Sequence, residues 1–151
     1  MAADSAMAGF LGERSKFSVW VVDKLRMTDV DYQGHINNAV HPVLFTNGRH
    51  DFIQRYLRPC VADTDMTALV KITIEYLGEM RYPGEVEVGT LIRRLGRTSI
   101  TLGQGMFNEA RCVAVAESVV VLLDPVTRRA KPWPAAVAEQ LAPMVVAEAP
   151  G

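Results

Sequence analysis

The sequence predicts an α+β domain of two layers, an antiparallel sheet of about five strands wrapped around one long central helix. Three observations carry this. A β-branched and aromatic segment, Phe17 to Leu25 ("FSVWVVDKL"), stands before a single long amphipathic stretch, His41 to Leu57 ("HPVLFTNGRHDFIQRYL"). Four further β-like segments then run to residue 124. The turns between them, "RYPG", "LGR" and "NEAR", are short, which predicts antiparallel hairpins. An antiparallel sheet buries one face, and the one long helix is available to cover it. The edges of so small a sheet invite a second copy, so a homodimer, or a dimer of dimers, is expected.

Taken in order, residues 1–16 are rich in Ala, Gly and Ser and read as a flexible lead-in, 17–141 as a single domain, and 142–151 as a flexible tail. In the long helix, Val43, Leu44, Phe45, Phe52, Ile53, Tyr56 and Leu57 recur at three-and-four spacing and form one buried stripe. About 17 residues of helix span roughly 25 Å, enough to cross a sheet. Proline is favoured at the first helical position, so Pro42 places the regular helix start near His41 and makes "NNAV" a looser turn. Gly48, mid-helix, costs up to about 1 kcal/mol against alanine and marks close packing against a strand or a partner helix. The strands are "TALVKITIEYLGEM", "GEVEVGTLIRRLG", "RTSITLGQGMFNEA" and "RCVAVAESVVVLLD". "DPVTRRAKPWP" closes the last of them, and Pro134 opens a short helix, "AAVAEQLA".

At 151 residues and 49% hydrophobic content the chain is long enough to bury a core without disulfides or metal. A net charge of −1 advertises neither nucleic acid nor an anionic membrane as a partner, so any phosphate must be met by a local cluster. Cys60 and Cys112 share no short spacing and read as free thiols of a reducing compartment. The first residues lack the basic region and apolar core of a signal peptide, and no apolar run approaches the roughly 20 residues of a membrane span. The expected location is the cytoplasm. His35, His41 and His50 lack one-face helical spacing and have no Cys or acid pair beside them, so no metal site is expected.

The stretch "RMTDVDYQGHINNAV", Arg26 to Val40, breaks the apolar pattern with two aspartates, a histidine, two asparagines and one glycine. Buried polar groups are costly unless paired, so the stretch is a hydrated turn, a set of helix caps or a reaction centre. Its core "TDVDYQGHINNAV" resembles the D-x-D-x-x-G-H-[apolar]-N-N pattern of the hotdog-fold thioesterases, in the branch of 4-hydroxybenzoyl-CoA and acyl-CoA/acyl-ACP thioesterases. "ITIEYLGEMRYPGEVEVGT" is similar to that family's second strand, turn and third strand, and "VVVLLDPVTRRAKPWP" to its closing strand and tail.

The resemblance implies a hotdog fold and hydrolysis of an acyl-CoA or acyl-carrier-protein thioester. It needs no cofactor, since coenzyme A enters only as part of the substrate. It implies Asp31 as the catalytic carboxylate, either nucleophile on the thioester carbonyl or general base for water; a capping aspartate is the plainer alternative. It assigns the oxyanion to main-chain N–H groups around Asn38, with Gly34 allowing close approach, while Asn37 and Asn38 also suit plain N-capping. His35 either hydrogen-bonds the thioester carbonyl, or orients water, or makes a local structural bond. For the carrier's phosphate the resemblance favours Arg93, Arg97 and Ser99 over "RRAK" (Arg128, Arg129, Lys131), against solvated turns in both cases. Phe45 and Phe52 would line an acyl channel between protomers, or simply belong to the core. Many relatives carry a glutamate in the helix before an arginine; here "FTNGR" has Thr46 and Asn47 in its place and keeps Arg49. That absence leaves a non-catalytic acyl-thioester binding protein as the alternative. A hydratase is disfavoured, because no matching His/Asp or His/Glu motif is present.

Overall fold

The computed structural model describes residues 5–149. Its elements are α1 (Ala6–Leu11), β1 (Val19–Lys24), α2 (His41–Phe52), β2 (Met66–Tyr76), β3 (Glu85–Leu95), β4 (Ser99–Asn108), β5 (Arg111–Leu123), the short β6 (Ala130–Lys131) and α3 (Ala135–Leu141). The main strands form one antiparallel sheet in the order β1-β3-β4-β5-β2, with β6 beside the end of β5.

Two of the three expected hairpins are present, β3–β4 and β4–β5; the tip of the second carries Glu109 and Ala110 at φ 52° and 62°. The third is not. β2 pairs with β5, so "RYPG" belongs to a crossover, residues 77–84, that carries the chain from one edge of the sheet toward the other. Along the way Leu77 and Gly78 donate to Val113 O, and Met80 O accepts from Ile36 N. These bonds along the end of the sheet, which no local turn signal reveals, hold the crossover open as a wall.

α2 packs across one face, on β1, β3 and β4. Leu44 and Phe45 meet Val86, Val88 and Met106 near its start. Phe52, Ile53 and Leu57 meet Ile92, Ile100, Leu102 and Val120 near its end, where Val137 and Leu141 of α3 close the layer. Val43, expected in the stripe, is exposed instead. The last part of the expected helix, Ile53–Leu57, is a π-helical turn continuous with α2. Gly48 sits where a Cβ would come within 2.7 Å of Val88 Cγ1, which confirms close packing against a strand.

The largest departure from expectation is at the N-terminus. Residues 1–4 and 150–151 lie outside the described residues, but residues 6–11 are not a loose lead-in. α1 is capped by Ser5 Oγ, which accepts from Ala8 N at 2.9 Å, and it buries Ala8, Phe10 and Leu11 on the reverse face of the sheet. The strands make room for it with glycine. A Cβ on Gly103 or Gly105 would lie 2.6 Å from Leu11 atoms, and one on Gly89 2.5 Å from Phe17. Both faces of β3 and β4 are thus covered, so β4 is buried almost throughout. The tail is also tied down in part: Val146 N donates to Ile92 O at 2.8 Å, beside a short 3₁₀ turn at Ala142–Met144.

Since Leu11 is fully buried against this glycine bed, Leu11→Ala is expected to lower the unfolding free energy by about 2–5 kcal/mol, read from urea midpoints at unchanged m.

Candidate active site

After a 3₁₀ turn at Met27–Asp29, the polar stretch folds into two consecutive turns before α2. Val30 and Ile36 form an isolated bridge that closes the first. Inside it Asp31 N donates to His35 O (2.9 Å), Gly34 N to Asp31 O (3.0 Å), and Gly34 adopts φ 80°, a conformation glycine takes without strain. The Asp31 carboxylate accepts from Gln33 N through Oδ1 at 2.9 Å. Oδ2 has no hydrogen-bond partner among the described residues. Asp31 is therefore both a turn-forming aspartate and a half-buried carboxylate with one oxygen free.

The second turn is Asn37–Val40, with regular helix from His41 and Pro42 in its first turn. Asn37 N donates to Asp29 O at 2.8 Å, Ala39 N to Asn37 Oδ1 at 2.9 Å, and Val40 N to Asn37 O at 2.9 Å. Val43 and Leu44 N both turn to Val40 O. Of the amides from Asn37 to Leu44, those of Asn38 and His41 have no acceptor among the described residues; Pro42 has no N–H to place. Neither asparagine caps the helix: the position before α2 is Val40, without a side-chain cap, and Asn37 instead closes an Asx turn on Ala39 N, while the Asn38 amide stays free.

Asp31, His35, Asn38, His41 and Tyr76 share one open cleft of about 460 Å³, walled on its far side by Leu77, Gly78 and Glu79 of the crossover. Tyr76, on the edge strand β2, donates its hydroxyl to Asn38 O at 2.9 Å. The His35 ring turns to the crossover, with Nε2 2.9 Å from Arg81 Nη2 and 3.0 Å from Glu79 Oε2. One nitrogen cannot serve both at once: without a hydrogen Nε2 accepts from Arg81, and carrying one it donates to Glu79. In either state His35 is held by the crossover.

His41 is the residue that sequence reasoning passes over, weighing it only as a metal ligand. It is 2% exposed, its Nδ1 lies 3.3 Å from Asn37 O, and Nε2 has no partner. Burial pushes its pKa below 6.5 against a smaller opposing effect of the Asn37 carbonyl. The ring is therefore neutral at pH 7, and the bond to a carbonyl assigns the proton to Nδ1. A signal for it exists in the sequence: extending the buried stripe of Leu44, Phe45, Gly48 and Phe52 one turn back lands on His41.

Other expected site residues lie elsewhere. Phe45 is fully buried in the core and lines no channel in this chain, because its face of α2 is pressed on the sheet. Arg93 is committed on the reverse face, stacked 4.3 Å over Phe10 and paired with Glu117 (3.4 Å) and Glu148 (3.3 Å). Arg97 and Ser99 lie at the β3–β4 turn, and β3 separates that turn from the cleft by roughly 35 Å at about 3.3 Å per residue. In α2, Thr46 Oγ1 bonds Pro42 O (2.8 Å) and accepts from Arg49 Nη2 (3.1 Å), and Asn47 reaches Asp23 (3.3 Å); neither lines the cleft. Among the described residues no group of three His, Cys, Asp or Glu side chains is placed to hold a metal ion.

Against known proteins, residues 25–141 match the model of the thioesterase-like superfamily. The chain belongs to that superfamily. It is a thioester hydrolase by family, on an antiparallel sheet with one long helix of the hotdog kind. A predicted thioesterase from Bacillus stearothermophilus superposes with a TM-score of 0.77 at 28% identity, over 86% of this chain and 98% of that one. A thioesterase from Thermus thermophilus, complexed with coenzyme A and Zn, gives 0.74 at 25% identity, over 85% and 95%. The probable thioesterase YbaW of Escherichia coli gives 0.74 at 22% identity, over 85% and 100%, a likeness of fold. No curated protein matches the sequence.

The buried His41 has a thermodynamic signature. Well above pH 6.5 its ring is neutral folded and unfolded and contributes no pH dependence. Below that, the unfolded chain takes the proton first, so stability falls with pH until the folded ring titrates as well. The expected result is that the loss of urea midpoint between about pH 7.5 and about pH 5.5 shrinks in His41→Phe relative to wild type.

Proposed function

We propose that the protein hydrolyses acyl thioesters of coenzyme A, or of an acyl carrier protein, in this cleft. One observation carries the reading: Asp31, whose Oδ2 has no partner, and Asn38, whose amide has no acceptor, both line one cavity at the start of α2. The Asn38 amide would hold the thioester oxygen as it gains negative charge, with the unspent His41 amide and the positive end of the helix dipole behind it. Asp31, oriented through Oδ1 by the Gln33 amide, would drive attack on the carbonyl carbon through Oδ2. It does so as nucleophile, or by taking the proton of an attacking water. As base, Asp31 passes the proton of the attacking water to the thiolate as the carbonyl–sulfur bond breaks; as nucleophile, it forms a mixed anhydride as that bond breaks, and water then cleaves the anhydride to the free acid and supplies the proton the thiolate takes. Gly34 keeps the turn tight enough for Asp31 to face the cleft. Coenzyme A as carrier is supported by the Thermus relative, which was complexed with it.

The protein works, in this reading, as a homodimer. β2 is an edge strand that exposes Met66, Leu69, Val70 and Tyr76, and a second copy pairing there would cover them. No helix is long and apolar enough to cross a membrane, and both cysteines are free, which supports a reducing cytoplasm.

Thiol release from a panel of acyl-CoAs tests the reading. Asp31→Asn is expected to cut the rate about 100-fold, the scale of losing a catalytic base, while coenzyme A binding persists. A specific observation favours one alternative, a binding protein without turnover: α2 offers no acid to the cleft, since Thr46 and Asn47 are turned to other partners. Equal and negligible rates in wild type and variant, with coenzyme A still bound, would establish that alternative.

A further inference from the structure

The planar trans peptide sets the direction of the Asn38 amide. The Asn37 carbonyl and the Asn38 N–H belong to one peptide unit and point in opposite directions, so whatever holds the carbonyl aims the N–H. Two donors hold it: Val40 N at 2.9 Å, which belongs to the turn itself, and His41 Nδ1 at 3.3 Å, which comes from a side chain. The next carbonyl, Asn38 O, is held by the Tyr76 hydroxyl at 2.9 Å. The two rings lean on each other edge to face, with centroids 5.0 Å apart and planes at 74°. The peptide units on both sides of the Asn38 Cα are therefore gripped by one aromatic pair, while the N–H between them is left free.

We propose that His41 and Tyr76 are positioning residues that aim the Asn38 amide at the developing oxyanion. The inference rests on the thioesterase reading and names what holds its electrophilic donor in place. It also accounts for a ring that is otherwise costly. His41 is 2% exposed with Nε2 unpartnered, and it lines the cleft. A leucine would fill the space without the penalty; what it could not supply is a proton on Nδ1 for the Asn37 carbonyl. Tyr76 brings in a second element. It stands at the end of the edge strand, 38 residues along the chain from the carbonyl it holds, so the clamp ties the turn to the sheet rather than to itself.

Three variants separate positioning from bulk packing. His41→Leu keeps an apolar filler, His41→Asn places an amide donor near the Nδ1 position, and Tyr76→Phe removes one hydroxyl. The expected result is a fall in kcat of about 10- to 100-fold for His41→Leu and about 10-fold for Tyr76→Phe, with KM within about threefold of wild type. His41→Asn is expected to recover most of the loss. In parallel, the Asn38 amide resonance of ¹⁵N-labelled protein should shift and exchange faster in His41→Leu and Tyr76→Phe, and return toward wild type in His41→Asn. Wild-type kcat in both disrupting variants would overturn the clamp, as would an unmoved Asn38 resonance or an asparagine variant as impaired as the leucine. If wild type itself releases no thiol, the reading of function fails, and the Asn38 spectra alone decide whether the clamp exists.

Discussion

Close contact between α2 and the sheet at Gly48 is the constraint on which the rest of the molecule depends. A Cβ there would meet Val88 at 2.7 Å and the Gln104 amide at 3.2 Å, so only glycine lets the helix axis come this near. With that distance set, Gln104 Nε2 can donate to Phe45 O at 2.9 Å and to Thr90 Oγ1 at 3.0 Å, a polar stitch between the two layers in a fully buried place. Phe45 and Leu44 are pressed into the core, and the helix start is carried to the end of the sheet where the crossover passes. The cleft is a by-product of that seating. Its floor is the first turn of α2, and its wall is the chain that must travel between β2 and β3.

How much of this was legible in the sequence depended on whether a feature is local. The central helix, its start near His41, the close packing at Gly48 and most strand limits follow from apolar spacing and from proline and glycine chemistry, which act within a few residues. Strand order does not. The short "RYPG" turn read as a hairpin, yet β2 pairs with β5, because pairing is decided by contacts between segments far apart in the chain. α1 was missed for the same reason. Six residues make too short a helix to announce itself, and its stability comes from a bed of glycines on β3 and β4, about a hundred residues away on the far side of the sheet.

The site divides along the same line. Asp31, Gly34, His35, Asn37 and Asn38 lie on one continuous segment, and their motif was readable. Their hydrogen bonds were partly so, since aspartate and asparagine form such turns wherever backbone geometry permits. Arg93 shows the converse. From sequence it is one of three arginines at a hairpin end, but its neighbours in space are Phe10, Glu117 and Glu148, and they use up its guanidinium. Burial of His41 and Arg49 was hidden because a charged or polar letter breaks an apolar stripe on paper, although its stem can continue the stripe in space.

The Asn38 donor is a main-chain group, and this bears on which positions can vary. No side-chain replacement at 38 removes an amide hydrogen; only proline does. The oxyanion donor itself therefore does not depend on the asparagine side chain at the position that would touch the reacting oxygen. The constraint moves outward to the side chains that hold the flanking carbonyls, and to one of them, Tyr76, on a different element.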